Sequence, residues 1–296
     1  MNSIRMTPIE KRSAALGEIP AVLLPSLGQR YSQRAARLRQ LAQDHAMADY
    51  LLFVAQVADA QQRLLEHLPL PAALIGELAG QVGTGRAPLA WGSLPRAGYW
   101  QQLLHALGEQ LEHPTLQSLC ALDEAALERA ADALLAGRFS EIDSGQALFL
   151  WAALSLYFTQ LAAHLPAIGS AQVGEQRQHC PVCTAAPVAS VILTGAQAGL
   201  RYLHCGLCES RWHMVRLKCS NCEETGSLDY WSLHSHEAAI KAESCDECHS
   251  YLKVFYPEHE RDLELVADDL ASIALDAEVE RQGFDRSGVS PFLFPG

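Results

Sequence analysis

The sequence predicts an α+β fold. An N-terminal all-α bundle leads into two small tandem β modules held by metal, and a C-terminal helix with an extended tail closes the chain. Three observations carry this. Apolar residues recur at helical spacing from Gly28 to about Leu165. Short β-like runs then alternate with four C-x-x-C pairs between Cys180 and Cys248. Helical spacing returns after Pro257.

At 296 residues the chain exceeds the usual size of one domain, and 49% apolar residues are ample for a buried core. The expected divisions are a helical domain over 1–171, metal ribbons over 172–217 and 218–257, and a closing segment over 258–296. A net charge of −12 argues against a general binder of nucleic acid or anionic membrane. Met1 to Glu10 lacks the features of an export signal. The longest apolar run, Ala147 to Phe158, has 12 residues and is too short to span a bilayer. These readings point to the cytoplasm and to no membrane insertion.

Residues 1 to about 26 carry turn formers (Pro8, Pro20, Pro25) and are expected to form a loosely held arm. Leu51, Val54, Ala55, Ala58 and Leu65 share one helix face, with Asp59, Gln62 and Arg63 among the residues between them. Pro69 and Pro71 stop that helix. A short helix over Ala72 to Gln81 and a Gly/Pro-rich loop from Gly83 to Gly92 follow. Leu94 to Glu112 reads as a helix ended by His113-Pro114. Asp123 suits the N-cap of a helix over Glu124 to Ala136, and Gly137 suits its stop. Asp143 or Ser144 opens a helix apolar on every side, closed by Pro166, which marks it as the central one. Cys120 reads as a core residue of this bundle.

After a linker over Ala167 to Ala171, strands are expected at Val188 to Thr194, Leu200 to His204, Arg211 to Leu217, Leu228 to Leu233, Ala239 to Glu243 and Tyr251 to Tyr256. The cysteine pairs are Cys180/Cys183, Cys205/Cys208, Cys219/Cys222 and Cys245/Cys248. Gaps of 21, 10 and 22 residues separate them in turn. Each C-x-x-C turn presents two thiolates to one point, and a second turn completes a tetrahedron. The arithmetic therefore pairs the first two knuckles and the last two. Cys205 to Val215 also aligns with Cys245 to Phe255, an internal repeat. A ribbon this small needs metal for much of its folding energy. In a reducing compartment, metal ligation fits such pairs better than structural disulfides.

Arg201, Arg211, Arg216 and Lys218 lie close in sequence to the first tetrad and are expected to offset its thiolate charge. A nucleic-acid role finds no support, because Arg177 to Tyr256 holds seven Lys/Arg against eight Asp/Glu. Six of the twelve histidines (His179, His204, His213, His234, His236, His249) fall in this region. With both cysteine sets complete, they read as supporting or surface residues. Asp123 with Glu124 reads as a cap, and Asp268 with Asp269 as a solvated helix face. The closing helix is expected over Asp262 to Arg281, followed by the apolar tail Ser290 to Gly296, read as a surface for a partner.

Four thiolates suit zinc and a single iron alike. Thiol–disulfide exchange is a competing reading of Cys180-Pro-Val-Cys183, although the residues that follow read as strand rather than as a βαβ unit.

The block from Tyr202 to Cys222 (YLHCGLCESRWHMVRLKCSNC) resembles the formate dehydrogenase accessory proteins of the FdhE type. So do Leu228 to Leu233, Ala239 to Cys248 and the ending Pro291 to Gly296. Together these segments fall within roughly the last 120 residues. The resemblance implies a cytoplasmic assembly factor and not an enzyme. It implies a partner, the catalytic subunit of formate dehydrogenase, and rubredoxin-like iron at two mononuclear sites, with zinc as the alternative metal. Carried over position by position, the ligands are the eight cysteines from Cys180 to Cys248. Two other readings remain beside it. One is a thiol or iron redox enzyme acting on the client, and the other is a zinc-ribbon nucleic-acid protein.

Overall fold

The computed structural model describes residues 19–295, apart from 79–85, 95, 97, 174–176 and 234. Most of the expected arm and part of the Gly83–Gly92 loop lie outside the described residues, as do the end of the helix expected to Gln81, His234 and the final glycine.

The helical half comprises α1 (Arg30–Leu41), α2 (Ala48–His67), α3 (Ala72–Leu78), α4 (Tyr99–Gln110), α5 (Pro114–Cys120), α6 (Glu124–Leu135), α7 (Ser144–Ala163) and the single turn α8 (Ser170–Val173). The apolar pattern placed α7 correctly at the centre: its residues are buried almost throughout, and α2, α4, α5 and α6 pack around it. By length and composition this helix is apolar enough to cross a bilayer, but the protein itself covers it. Its N-cap is Asp143, whose side chain accepts from Gln146 N at 3.1 Å. Asp123 caps α6 through Ala126 N at 2.7 Å. Gly137, at φ +71°, ends it in the left-handed conformation expected of such a stop. Gln62, one of the residues between the apolar positions of α2, does not face solvent. It is buried, and its side-chain carbonyl accepts from Tyr31 N and Ser32 N at 3.2 Å, serving as the cap that Gln29 does not provide for α1.

The strands are β1 (Val22–Leu23), β2 (Pro187–Ile192), β3 (Arg201–Cys205), β4 (Arg211–Met214), β5 (Leu228–Trp231), β6 (Ile240–Cys245), β7 (Ser250–Phe255) and β8 (Asp285–Arg286). Each ribbon is a three-stranded antiparallel unit, β2-β3-β4 and β5-β6-β7. The two share one sheet in the order β1-β4-β3-β2-β7-β6-β5, joined by parallel pairing of Ser190 with Val254 and Val191 with Phe255. Buried Arg201 ties the seam by bonding Ser190 Oγ at 2.8 Å and Glu243 at 2.7 Å. The end of the expected loose arm is in fact a strand, because Val22 and Leu23 pair with Trp212 and Arg211.

The expected closing helix is two, α9 (Leu265–Ala271) and α10 (Ile273–Arg281), broken at Ser272. Asp268 and Asp269 are buried instead of solvated. Asp268 takes a forked bond from Arg37 at 2.7 and 2.9 Å. Asp269 pairs with Arg286 at 2.7 Å and Lys253 at 3.2 Å. A spacing rule sees helix faces but not the basic groups that arrive from other elements.

The C-terminal tail packs on its own chain. Phe292 is buried, its carbonyl accepts from the Tyr50 hydroxyl, and Phe294 meets Trp151 at 5.5 Å between ring centres. Gly288 permits this docking, since a Cβ there would lie 2.2 Å from Pro187 O. The tail read as partner surface is thus largely spent on internal packing.

Candidate metal centre

The eight cysteines converge as two quartets, Cys180/Cys183/Cys205/Cys208 and Cys219/Cys222/Cys245/Cys248, with the four sulfurs of each within 4.8 Å of one another. This is the pairing that the spacing predicts. All eight thiols are free. Cys183 and Cys205 Sγ lie 3.4 Å apart and Cys180 and Cys208 Sγ 3.6 Å in the first quartet, and Cys222/Cys245 and Cys219/Cys248 3.7 and 3.8 Å in the second. A tetrahedral metal with bonds of about 2.3 Å to sulfur has an edge of about 3.8 Å, so these cradles have the right size.

Every knuckle reaches this geometry by the same backbone device. The residue after its second cysteine is left-handed: Thr184 at φ +68°, Glu209 at +59°, Glu223 at +65° and His249 at +52°. Such angles are unusual outside glycine and cost conformational energy. The turn offsets that cost with hydrogen bonds. Thr184 N donates to Cys180 O at 2.9 Å, Glu209 N to Cys205 O at 3.0 Å, and Glu223 N to Cys219 O at 3.1 Å. Backbone amides also face sulfur, as Cys208 N to Cys205 Sγ and Asn221 N to Cys219 Sγ, each at 3.4 Å.

The environments differ. All four cysteines of the first quartet are buried, whereas in the second Cys222 is exposed and Cys248 partly so. Burial pushes the Cys183 and Cys205 thiols well up. Burial opposes ionisation of Cys208 too, but hydrogen bonds from its sulfur neighbours and Ser210 win and pull it well below the ordinary thiol value. Cys248 behaves alike: despite partial burial, Ser250 and Asn221 lower it to about 6. Ser210 Oγ lies 3.3 Å from Cys208 Sγ, and Ser250 Oγ 3.0 Å from Cys248 Sγ. Each quartet therefore has a thiol poised to ionise first, and metal binding displaces the remaining protons.

Two of the four cationic residues expected to offset the sulfurs are committed to carboxylates instead. Arg201 serves Glu243, and Lys218 serves Glu223. Charge near the first quartet is instead organised by Glu209. Its carboxylate bonds Arg34 at 2.9 Å and Arg30 at 3.0 Å, and lies 3.3 Å from His204 Nε2. Desolvation acts against the charge of Glu209, yet Arg34, His204 and Arg30 hold it far below the ordinary carboxylate range. His204 is thus a buried neighbour of the site and no substitute ligand. Cys120 belongs to neither quartet; its thiol, raised by burial, sits 3.7 Å from Leu104 O in the bundle.

The family models for the N-terminal, central and C-terminal domains of FdhE match residues 19–175, 179–216 and 217–293. The chain belongs to the FdhE family. An FdhE homologue from Edwardsiella ictaluri is 51% identical over 308 aligned residues, covering 99% of each chain. One from Yersinia enterocolitica is 48% identical over 307, again covering 99% of both. The crystal structure of the FdhE protein from Pseudomonas aeruginosa superposes with a TM-score of 0.83 at 36% identity, covering 94% of this chain and all of that one.

For this FdhE-family chain, the sequence located all eight sulfurs but missed the residues that tune them. Ser210 and Ser250 were detectable, since the aligned repeats place a serine two positions after Cys208 and after Cys248. Glu209 carried no such signal, because its partners Arg30 and Arg34 lie some 175 residues earlier in the chain.

Proposed function

We propose that this chain is a cytoplasmic accessory protein for maturation of formate dehydrogenase, acting on the catalytic subunit by binding and not by turnover. The observation that carries the reading is the pairing of end-to-end FdhE relatedness with two sulfur quartets already shaped for a tetrahedral ion. The eight cysteines are the ligands, and mononuclear iron is the metal at both sites, with zinc as the alternative. Such iron supplies a one-electron redox change that zinc lacks.

In this reading the helical domain, residues 1–171, offers the client surface. The ribbons over 172–217 and 218–257 form a rigid platform, and 258–296 fasten the two together. The buried first site is structural. The exposure of Cys222 in the second site favours a further role in exchanging electrons with the client.

The test joins three measurements on freshly purified protein and on a strain lacking it. Elemental analysis with the visible spectrum separates coloured ferric S₄ iron from silent zinc. Co-purification asks whether the formate dehydrogenase catalytic subunit is retained. Formate dehydrogenase activity in the strain should fall and return with the wild-type chain but not with a variant lacking both quartets. Full enzyme activity without the chain overturns the proposal.

A further inference from the structure

Away from the sulfurs, the turn between β1 and α1, the start of β4 and the lead into α9 enclose a polar cavity of about 250 Å³. Its lining includes Arg211, Arg30, Ser26, Gln29 and Gln33, with Leu263 and Leu265 as apolar wall. Glu264 also faces it, but that carboxylate is committed elsewhere. It holds Arg34 in a fork at 2.8 and 3.1 Å and caps α9 through Ala267 N at 2.8 Å. Glu209, the other nearby acid, is bound by Arg34 and Arg30.

Three guanidiniums thus meet two carboxylates, and Arg211 is the one left over. Among the described residues its side chain has no hydrogen bond or ion pair, although every other arginine around it has one. Burial and the like charge of Arg30 press its pKa down, and the opposing pull of Glu209 and Glu264, which form no ion pair with it, does not offset them. A part-buried arginine facing a second cation across a polar cavity is costly unless an anion completes it.

We propose that this cavity is a binding site for a small oxyanion of the phosphate or carboxylate type, held by the Arg211 and Arg30 guanidiniums. Guanidinium forks match both anions, and Ser26, Gln29 and Gln33, residue types that can donate, line the same cavity. The site lies where β1, β4, α1 and α9 converge, so an anion there strengthens the contact between the helical half and the sheet. It does not depend on the maturation role or on which metal the quartets hold.

The test measures the melting temperature of the full-length, metal-loaded protein against inorganic phosphate and, separately, acetate. Chloride at matched ionic strength removes general screening. Phosphate, acetate or both should raise the wild-type melting temperature in a saturable way, and the stronger of the two identifies the anion class. Arg211→Gln should weaken that response about tenfold or more, in keeping with loss of a charged hydrogen-bond donor. Gln33→Glu is a second variant at an exposed helix position, and it should silence the response by placing a carboxylate in the cavity. No response beyond chloride in the wild type overturns the proposal. So does a response that survives intact in both variants, because a purely structural Arg211 leaves anion binding untouched.

Discussion

Glu209, the residue directly after Cys208, bonds Arg34 of α1 at 2.9 Å with both side chains buried. One residue thus closes a metal knuckle with its left-handed backbone and anchors the helical half with its carboxylate. Arg34 also carries a fork to Glu264 ahead of α9, so three distant segments meet at one guanidinium.

Glu209→Gln should therefore cost more than a surface change. The change takes a charged acceptor from Arg34 and Arg30, while Glu264 still holds Arg34, a loss of about 1.5–3 kcal/mol. Denaturant melts of Glu209→Gln, Arg34→Met and the double variant measure the coupling. Equal, additive losses would show that the pair does not act as a unit.

The unequal burial of the quartets predicts unequal metal release. A chelator should strip the site containing exposed Cys222 quickly and the buried site slowly, giving two phases. Cys219→Ser should lose about half the metal and leave only the slow phase, as independent sites require. Full occupancy in that variant contradicts the division into two quartets.

Phe292→Ala should destabilise the protein by about 3–5 kcal/mol, the range for emptying a buried aromatic site. Thermal unfolding checks this directly. A loss below about 1 kcal/mol, the usual effect of a surface substitution, would return the tail to the role of partner surface.

Burial lowers the pKa of His204, outweighing the opposite pull of Glu209. The unfolded chain accepts a proton near pH ~6.5 that the native state resists. Stability from this group is therefore complete above that pH and declines as pH falls through it toward the lower native value. His204→Asn should flatten the decline in urea melts at pH 7 and 5.5 with metal in excess. Identical slopes in wild type and variant would exclude His204 as a source of the acid sensitivity.

Legibility followed the range of the interaction. The knuckles could be read because each is four residues long and its chemistry is local. Asp123, Asp143 and Gly137 could be read for the same reason, as caps and stops act within one turn. Asp268 and Asp269 were misplaced on a solvated face, and the burial of Gln62 against α1 went unread, because their partners come from other elements. Val22 and Leu23 resembled an idle arm because strand pairing with Arg211 and Trp212 spans most of the chain.

By itself, then, the order of residues determined the helical half, the eight sulfurs and how they divide, since backbone propensity and ligand spacing are short-range properties. Only the folded chain decided that the two ribbons fuse into one sheet, that the tail turns inward, and that Arg211 forms no ion pair among the described residues. Those outcomes depend on which charges and apolar faces meet across long separations, where burial fixes the energy and sequence distance carries no information.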